Sequence, residues 1–414
     1  MYNHILPFSK DSKNLLNYIN KIIKNNNFFA SFIKKINSNQ KESNIKVYNL
    51  INKFYSIFLI SQKNIEKYFH NTKNLNNKPL LKKEYYSSIK FFDFNYVNNL
   101  LENQFTGRLI SNIINEIKYK KIIKIENFSI EIFYNESYLN EINNLIFHLI
   151  LIYDILKKFF NKKQNFKLNL VVFYIDIKKE YDYNKNYIST ENINSGFYFN
   201  KQIILYRKEE ILKVYIHEIL HLFGLDDLYY LKKNNDKKLV EIFNLNSFNF
   251  FNESYIEFFA IIFHTLYISC LYSKAYNSIF FNFEKFMKYE IIFSLIQTSK
   301  FLNYHNLEFL DFFKRIIYNK YKENTNSFSY IYLKFLLLFN YNKFLDYSIK
   351  YGKPVTFNEN LVIEYLKFLN YNNNFDYLNS IINKCIIYLK KNTNKRLLTL
   401  FYKNSRLSLI EINF

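Results

Sequence analysis

The amino-acid sequence predicts an α+β protein, with a twisted mixed sheet encoded in the middle of the chain and helical regions before and after it. Three observations lead to this prediction. Residues 1–105 show helical patterning, residues 106–250 alternate between period-two runs and helical runs, and the apolar pattern beyond residue 250 is wholly helical. We therefore divide the 414 residues into an N-terminal helical region (1–105), a sheet domain (106–250) and a C-terminal helical domain (251–414).

The N-terminal region has apolar residues at helical spacing and no residues that suggest chemistry. Leu15, Tyr18, Ile19 and Ile22 recur at intervals of three and four, as on one face of a helix. A polar stretch from Asn71 to Pro79 predicts a loop.

The sheet domain begins with two β-type segments and one long helix. Residues Ile122–Tyr134 predict a strand pair or one long strand, Tyr138–Phe160 predict an amphipathic helix, and Phe166–Ile177 predict a further strand.

Two short β-type runs and a helix complete this domain. Residues 195–199 and 202–206 predict a hairpin, although the connecting Asn200-Lys201 is a weaker turn signal than Asn-Gly. Residues 207–223 predict an apolar helix.

The C-terminal domain shows only helical spacing of its apolar residues. Its predicted helices are Ser254–Tyr272, Phe281–Thr298, Leu307–Tyr321, Phe328–Leu338, Leu361–Leu369 and Tyr377–Leu389. The longest apolar stretch, Phe258–Tyr272, contains His264 and is shorter than the roughly 20 residues of a membrane span. A buried helix is therefore expected, and no membrane span.

The composition indicates an extremely AT-rich genome and does not favour nucleic-acid binding. Asn, Lys, Ile, Tyr and Phe are abundant, while the chain has only four glycines and two methionines. The formal net charge of +22 comes from lysines scattered along the whole chain. We interpret them as a consequence of codon usage that gives a weak, salt-sensitive affinity for polyanions, and expect no specific nucleic-acid partner. A basic nucleic-acid-binding protein would require clustered lysines, which the sequence lacks.

The cysteines and the N-terminus indicate an intracellular protein. Cys270 and Cys385 lie far apart among apolar residues, so we expect buried free thiols and no disulfide framework. The first residues lack a charged head followed by a long apolar run, so no secretory signal is predicted.

The most informative motif lies in the predicted helix 207–223, where His217, Glu218 and His221 form a His-Glu-x-x-His pattern. Residues i and i+4 lie roughly 40° apart around a helix and about 6 Å apart along it. Both imidazoles can therefore reach one Zn²⁺ ion, and Glu218 lies beside them as a general base for a metal-activated water. The flanking apolar residues indicate a helix buried under a sheet.

This motif and the order of elements before it resemble the zincins, zinc peptidases in which a twisted sheet supports the metal-binding helix. The resemblance implies that the sheet's edge strand lies along the cleft and pairs with an extended peptide substrate. Gly196, Phe197 and Tyr198, together with Phe199, are the candidate edge strand. Gly196 and Gly224 are two of only four glycines in the chain, which suggests backbone requirements at both positions.

A catalytic zinc usually takes three protein ligands, and the sequence offers two main candidates for the third. Residues 217–227 read His-Glu-x-x-His-x-x-Gly-x-x-Asp, which resembles the metzincin pattern and would make Asp227 the ligand. That family usually has histidine at this position and a methionine turn below the metal. The only internal methionine, Met287, lies in a predicted helix instead.

The favoured candidate is Glu253, because Asn252, Glu253 and Glu257 resemble the downstream helix of the gluzincins. In that resemblance Glu253 is the ligand, and Glu257 hydrogen-bonds a zinc-bound histidine. Two carboxylates on an apolar helix are costly to bury unless a cation or donors meet them, which also favours a ligand role. Glu257 itself is a minor alternative ligand. If Glu253 is the ligand, Gly224 is the C-cap of the active-site helix. His264 is a candidate transition-state donor, with core packing as the alternative.

The arrangement is also similar to uncharacterised metallopeptidase-like proteins of large DNA viruses with AT-rich genomes. The expected function is a zinc-dependent metallopeptidase acting on a peptide or protein substrate, in host cytoplasm or in a virion. The alternative is a catalytically idle zincin-fold protein with a structural or interaction role, for example as a virion component.

Overall fold

A computed structural model of the chain describes part of its length. The described residues are 8–41, 45–74, 85–88, 101, 107–125, 127–162, 167–185, 187–199, 202–226, 237–243, 245, 251–273, 275–314, 321, 325–372, 374–392 and 402–414. They form a mixed α+β fold, as the sequence predicts.

The helices and strands are numbered in chain order among these residues. The helices are α1 (Lys10–Asn25), α2 (Asn27–Lys41), α3 (Ile45–Asn74), α4 (Gly107–Glu116), α5 (Leu139–Phe159), α6 (Thr190–Ile193), α7 (Ile211–Leu222), α8 (Lys237–Phe243), α9 (Asn252–Tyr272), α10 (Tyr276–Tyr304), α11 (Lys334–Phe339), α12 (Tyr341–Ser348), α13 (Glu359–Tyr371) and α14 (Asn374–Asn392). The strands are β1 (Tyr85–Ser88), β2 (Tyr119–Ile125), β3 (Phe128–Tyr134), β4 (Leu168–Tyr174), β5 (Gly196–Phe199), β6 (Gln202–Leu205), β7 (Ile349–Lys350) and β8 (Lys353–Pro354).

The chain forms two compact units, neither of which is one continuous stretch of sequence. The sheet unit comprises Asn52–Lys179, Asn194–Phe223 and Phe414. The helical unit comprises Met1–Ile51, Glu180–Ile193 and Gly224–Asn413. The division into residues 1–105, 106–250 and 251–414 stays a prediction.

The sheet unit is built on a mixed sheet in the order β1-β2-β3-β4-β6-β5. Strands β2 and β3 form an antiparallel pair, which confirms the strand pair expected between Ile122 and Tyr134. Strands β3, β4 and β6 are parallel, and β5 pairs with β6 in antiparallel fashion. The hairpin predicted at residues 195–206 is therefore confirmed, with strands at Gly196–Phe199 and Gln202–Leu205 and with β5 at one edge of the described sheet.

Helices cover both faces of this sheet, which explains the apolar runs in its central strands. On one face, Phe133, Val171 and Phe173 pack with Ile110 and Ile113 of α4. On the other face, Phe128 of β3 stacks on Tyr153 of α5, with ring centroids 4.6 Å apart. Helix α7 packs against β5, β6 and α5. The helix that carries the His-Glu-x-x-His motif is therefore held in a dry environment.

The helical unit is centred on α9, which packs against α10 and α11. A π-helical segment, Phe328–Leu333, leads directly into α11. The prediction that everything beyond residue 250 is helical is wrong at β7 and β8, which form a two-stranded hairpin. The turn residues Tyr351 and Gly352 both have positive φ, as in the tight turns that connect hairpin strands. The hairpin depends on this turn, and the periodicity of apolar residues therefore does not predict it.

Two N-terminal predictions also need correction. The loop expected from Asn71 begins later, since α3 continues to Asn74, and residues 75–79 lie outside the described part of the chain. Tyr85–Ser88 form strand β1 inside a region predicted to be helical. They pair with Tyr119–Ile122 of β2, so a long-range ladder overrides the local pattern.

In the part of the chain that the structure describes, two helical segments have the length and apolar composition of a membrane span: Glu136–Phe159, which includes α5, and α9. In α9, 94% of the apolar window is buried inside the structure, and in the α5 segment 61% is buried. Such burial is also typical of core helices, in agreement with the interpretation of Phe258–Tyr272 as a buried helix. Cys270 on α9 and Cys385 on α14 are buried and free, as expected.

Candidate metal centre

Helix α7 presents the His-Glu-x-x-His motif from a buried position. Every residue of α7 except His221 is buried. The helix begins after Glu210, whose φ of 59° is in the left-handed region, and the N–H of Val214 donates to the Glu210 carbonyl. His221 is half-buried, so the C-terminal part of this helix face is the part open to solvent.

The two histidines of the motif converge on one point. Their Nε2 atoms lie 3.0 Å apart, and the ring planes are inclined by 63°. Two nitrogens that each lie 2.0–2.1 Å from a tetrahedral zinc ion are about 3.3 Å apart, so a shift of a few tenths of an ångström accommodates the metal. The side chains of His217 and His221, both in the sheet unit, are therefore placed so that they could hold one metal ion together.

Glu218 lies between these histidines in the sequence and is 5% exposed. Its carboxylate is therefore shielded from bulk solvent on the helix that carries both imidazoles.

Gly224 has the C-cap role that the sequence predicts. Helix α7 ends at Leu222, Phe223 is the C-cap residue, and Gly224 follows with a φ of +69°. A left-handed residue immediately after the C-cap is the usual end of an α-helix and favours glycine.

Gly196 is required for a different reason, which is space. A Cβ atom built on it would lie 2.7 Å from Leu205 Cδ2, 2.9 Å from Val214 Cγ1 and 3.0 Å from the Ile204 carbonyl oxygen. The absence of a side chain lets β5 approach both β6 and α7, so this glycine sets the distance between the candidate edge strand and the metal-binding helix.

Gly196→Ala is expected to destabilise the protein by about 1–3 kcal/mol, the usual cost of overpacking, because the Ile204 carbonyl cannot move without breaking the ladder. The shift of the urea midpoint measures it. Gly224→Ala is the matched control. Its Cβ would meet nothing within 4 Å, so only the left-handed backbone penalty of about 1–2 kcal/mol applies. Equal stability of Gly196→Ala and the natural chain would contradict the packing argument.

Strand β5, the candidate edge strand, lies at an edge of the sheet formed by the described residues, and its place along a cleft stays a prediction. Gly196, Phe197 and Tyr198 are partly exposed, and Phe199 is 63% exposed. Strand β5 pairs with β6 on one side and is last in the strand order. Among the described residues no strand pairs with its other side, whose backbone groups are of the kind that pair with an extended peptide.

In the helical unit, Glu253 lies in the first turn of α9 and is half-buried. The preceding residue, Asn252, donates from Nδ2 to the Asp226 Oδ2 atom at 2.8 Å, and both side chains are 1% exposed. This bond braces the start of α9 against the segment that follows α7. The sequence alone does not single out Asp226, because nothing local indicates a partner 26 residues away.

Glu257 is 1% exposed and lies 3.9 Å from the ammonium group of Lys334, which is equally buried. A cation therefore meets this carboxylate, as the burial argument requires. The sequence analysis does not identify Lys334 as a partner of Glu257. The feature that could have indicated a buried ion pair is that Lys334 is the only charged residue in the apolar run Phe328–Phe339.

Three further predicted residues have different outcomes. Asp227, the alternative third ligand, lies outside the described residues. Met287 is buried inside α10, as expected, and not in a turn. His264 is buried on α9, eleven residues after Glu253, which is about 16 Å along a helix axis. That separation is too long for both side chains to contact one metal-bound group, so His264 is not part of the mechanism proposed below.

Comparison with known proteins gives one distant relative. The chain is 28% identical over 212 residues to the uncharacterized protein R210 of Acanthamoeba polyphaga mimivirus. The match covers 48% of this chain and 51% of that protein, so it spans about half of the relative's length. No protein-family model matches the chain. No solved structure matches it either. The chain is thus similar to a protein of a large DNA virus, which agrees with the viral resemblance of its sequence.

Proposed function

We propose that this chain is a zinc-dependent metallopeptidase of gluzincin-like type, with His217, His221 and Glu253 as metal ligands and Glu218 as general base. One observation carries the proposal. Two Nε2 atoms lie 3.0 Å apart on a buried helix, with an equally buried glutamate beside them. Two imidazole nitrogens at 3.0 Å are at hydrogen-bond distance, and the same convergence would let them share one metal ion.

The choice of Glu253 as third ligand is supported by residue chemistry and by chain connectivity. Among the described residues, His217, His221 and Glu253 form a group that could hold a metal ion. Two imidazoles and one glutamate are a known donor set of catalytic zinc and leave the fourth position to water. Asp226 follows His221 by only five residues, a span of at most about 17 Å, and its bond to Asn252 fixes the residue next to Glu253.

The proposed mechanism assigns each step to a residue of this chain. When bound, zinc supplies a Lewis acid that lowers the pKa of a water toward about 7 and polarises the scissile carbonyl. Glu218 accepts the proton of the attacking water and later donates it to the leaving amine. Glu257 orients one imidazole through its second nitrogen. Strand β5 pairs with the main chain of the extended substrate, which gives affinity with little sequence preference.

Substitution of the two competing third ligands tests the metal site. Glu253→Ala is expected to weaken zinc binding by more than about 100-fold, because loss of a ligand exceeds the 10- to 100-fold effect of an outer partner. Asp227→Ala, the matched control, should leave zinc affinity unchanged. The measurement is zinc content per chain after dialysis, with competition against a chromophoric chelator. The reverse result would assign the third ligand to Asp227.

Activity is tested with casein and a peptide library, with and without chelator. Cleavage that requires zinc is the expected result. A chain that binds one zinc ion and cleaves nothing would favour the structural or interaction role and overturn the peptidase proposal.

A further inference from the structure

The segments that follow β4 and β6 meet at one edge of the sheet in a buried polar cluster. Strands β4 and β6 are parallel neighbours, so their carboxyl ends lie at the same edge. Residues 175–179 follow β4, and residues 206–210 follow β6 and lead directly into α7. The contacts between these two segments are here called the clamp. The clamp and both imidazoles of the motif belong to the sheet unit.

Two contacts of the clamp are hydrogen bonds to main-chain carbonyls of the segment after β4. The N–H of Lys208 donates to the Ile175 carbonyl at 2.8 Å. The guanidinium of Arg207, which is 1% exposed, donates to the Lys178 carbonyl at 2.7 Å. These bonds tie the residues that precede α7 to the neighbouring strand connection.

Lys179 makes the other two contacts of the clamp and is 1% exposed. Its main-chain N–H donates to Glu209 Oε2 at 2.7 Å, and its ammonium lies 2.7 Å from Glu210 Oε2. The second carboxylate oxygen of Glu210 lies 4.0 Å from the ammonium of Lys213, in the first turn of α7. Burial lowers the pKa of Lys179, while the Glu210 carboxylate raises it. Removal of one partner from such a buried ion pair leaves an uncompensated charge, which is costly.

Glu210 has a backbone conformation that costs free energy. Its φ of 59° and ψ of 19° lie in the left-handed region, which residues with a Cβ atom rarely adopt. Such a conformation persists only where the surrounding structure determines it, and residues of this kind cluster at functional sites. The Glu210 carbonyl accepts the N–H of Val214 in α7, and its carboxylate pairs with Lys179. One residue thus joins the clamp to the start of the metal-binding helix.

The rotation of α7 about its axis matters because the rest of its packing is mostly apolar. Apolar contacts are non-directional, so they permit small rotations that an ion pair and hydrogen bonds prevent. Side-chain tips lie about 5–6 Å from a helix axis, so a rotation of about 10° moves them by about 1 Å. A functional group must be held within about 0.5 Å of its productive position. Such a rotation would carry the imidazoles of His217 and His221 together, relative to every ligand that is not on α7.

We propose that Lys179 is a positioning residue of the metal site, which acts through its ion pair with Glu210 to fix the rotation of α7. This inference rests on the proposed function, because it gives a role in metal binding to a residue that is not a ligand. Zinc affinity should therefore fall when the ion pair is broken, even in a chain that stays folded.

Zinc titration of the full-length chain tests this role, with circular dichroism to show that each variant is folded. Lys179→Met removes the ammonium and is expected to weaken zinc binding about 10-fold, the lower end of the effect of an outer partner. Lys121→Met is the matched control and should bind zinc like the natural chain. Lys121 is also a buried lysine of the sheet unit, at 4% exposure, but it lies on β2, which two strands separate from β6. Unchanged affinity in Lys179→Met, or an equal loss in both variants, would overturn the inference while the proposed function stands.

A double-mutant cycle tests whether Lys179 acts through Glu210. Glycine adopts the left-handed conformation without steric cost, so Glu210→Gly removes the carboxylate and leaves the backbone free to keep its geometry. It is expected to lose zinc affinity about as much as Lys179→Met. The double variant should bind zinc no more weakly than either single variant, because each removes the same ion pair. Natural affinity in Glu210→Gly, or losses that add in the double variant, would overturn the assignment.

Hydrogen exchange on the natural chain keeps the inference testable if Lys179→Met does not fold. Coupling is reciprocal, so zinc must stabilise the clamp if the clamp favours zinc binding. We expect added zinc to slow exchange of the Lys179 and Lys208 amides about tenfold more than that of the amides of β2. An equal effect in both places would overturn the inference. A natural chain that binds no zinc would overturn the proposed function and the inference together.

Discussion

Glu218→Gln is expected to lower kcat for peptide hydrolysis by about 10²–10⁴-fold while the chain keeps one zinc ion. Glutamine has nearly the size of glutamate and can still hydrogen-bond a water, but it cannot accept a proton. The loss should therefore appear in kcat rather than in zinc content or stability. Steady-state kinetics on a fluorogenic peptide, with zinc content measured on the same sample, separate these effects.

Glu241→Gln is the control for this substitution, because Glu241 is an exposed glutamate of α8. It should leave kcat, KM and zinc content unchanged. Full activity of Glu218→Gln would refute the general-base mechanism, even if zinc and both histidines proved essential. Loss of zinc from Glu218→Gln would instead show that the glutamate contributes to metal binding.

His221→Ala is expected to abolish stoichiometric zinc binding and, with it, peptide hydrolysis. The substitution removes one of two nitrogens that meet at 3.0 Å, and the remaining ligands cannot complete a tetrahedral site. The fold should survive, because alanine favours helix and His221 is the least buried residue of α7. Zinc content per chain measures the loss of metal binding, and circular dichroism measures whether the fold is retained.

Thermal unfolding provides a further readout for the same variant. A ligand that binds only the native state raises its stability, so excess zinc should raise the Tm of the natural chain. It should not raise the Tm of His221→Ala. An equal rise in both chains would mean that the stabilising zinc binds elsewhere, and the assignment of the metal site would fail.

Local sequence periodicity accounts for most of the elements that position the site. Helix α5 was predicted at Tyr138–Phe160 and lies at Leu139–Phe159, and the β5–β6 hairpin lies where alternation indicated it. The meeting of His217 and His221 follows from the same cause, since residues four apart share a helix face. These features depend only on neighbours in the sequence, so the sequence is sufficient to predict them.

Features that depend on distant partners were not predictable. Strand β1 forms because a ladder with β2 is available, and the buried Asp226–Asn252 bond joins residues 26 apart. Residues 404–411 have neither strand nor helix periodicity. Side chains of α10 and α11, about 70 to 120 residues earlier, make hydrogen bonds to the backbone groups of this segment. No local pattern of apolar residues encodes such a pairing.

The sequence by itself therefore determined the helix with its two converging imidazoles, the strand beside it and the downstream helix that carries Glu253 and Glu257. Each of these follows from the spacing of residues, because a regular helix or strand places residues at fixed intervals on the same face. Only the tertiary structure decided that Lys334, in the apolar run Phe328–Phe339, contacts both the Glu257 carboxylate and the Leu407 carbonyl. A buried charge selects its partners by proximity in the folded chain, and that proximity arises from the packing of all the helices together.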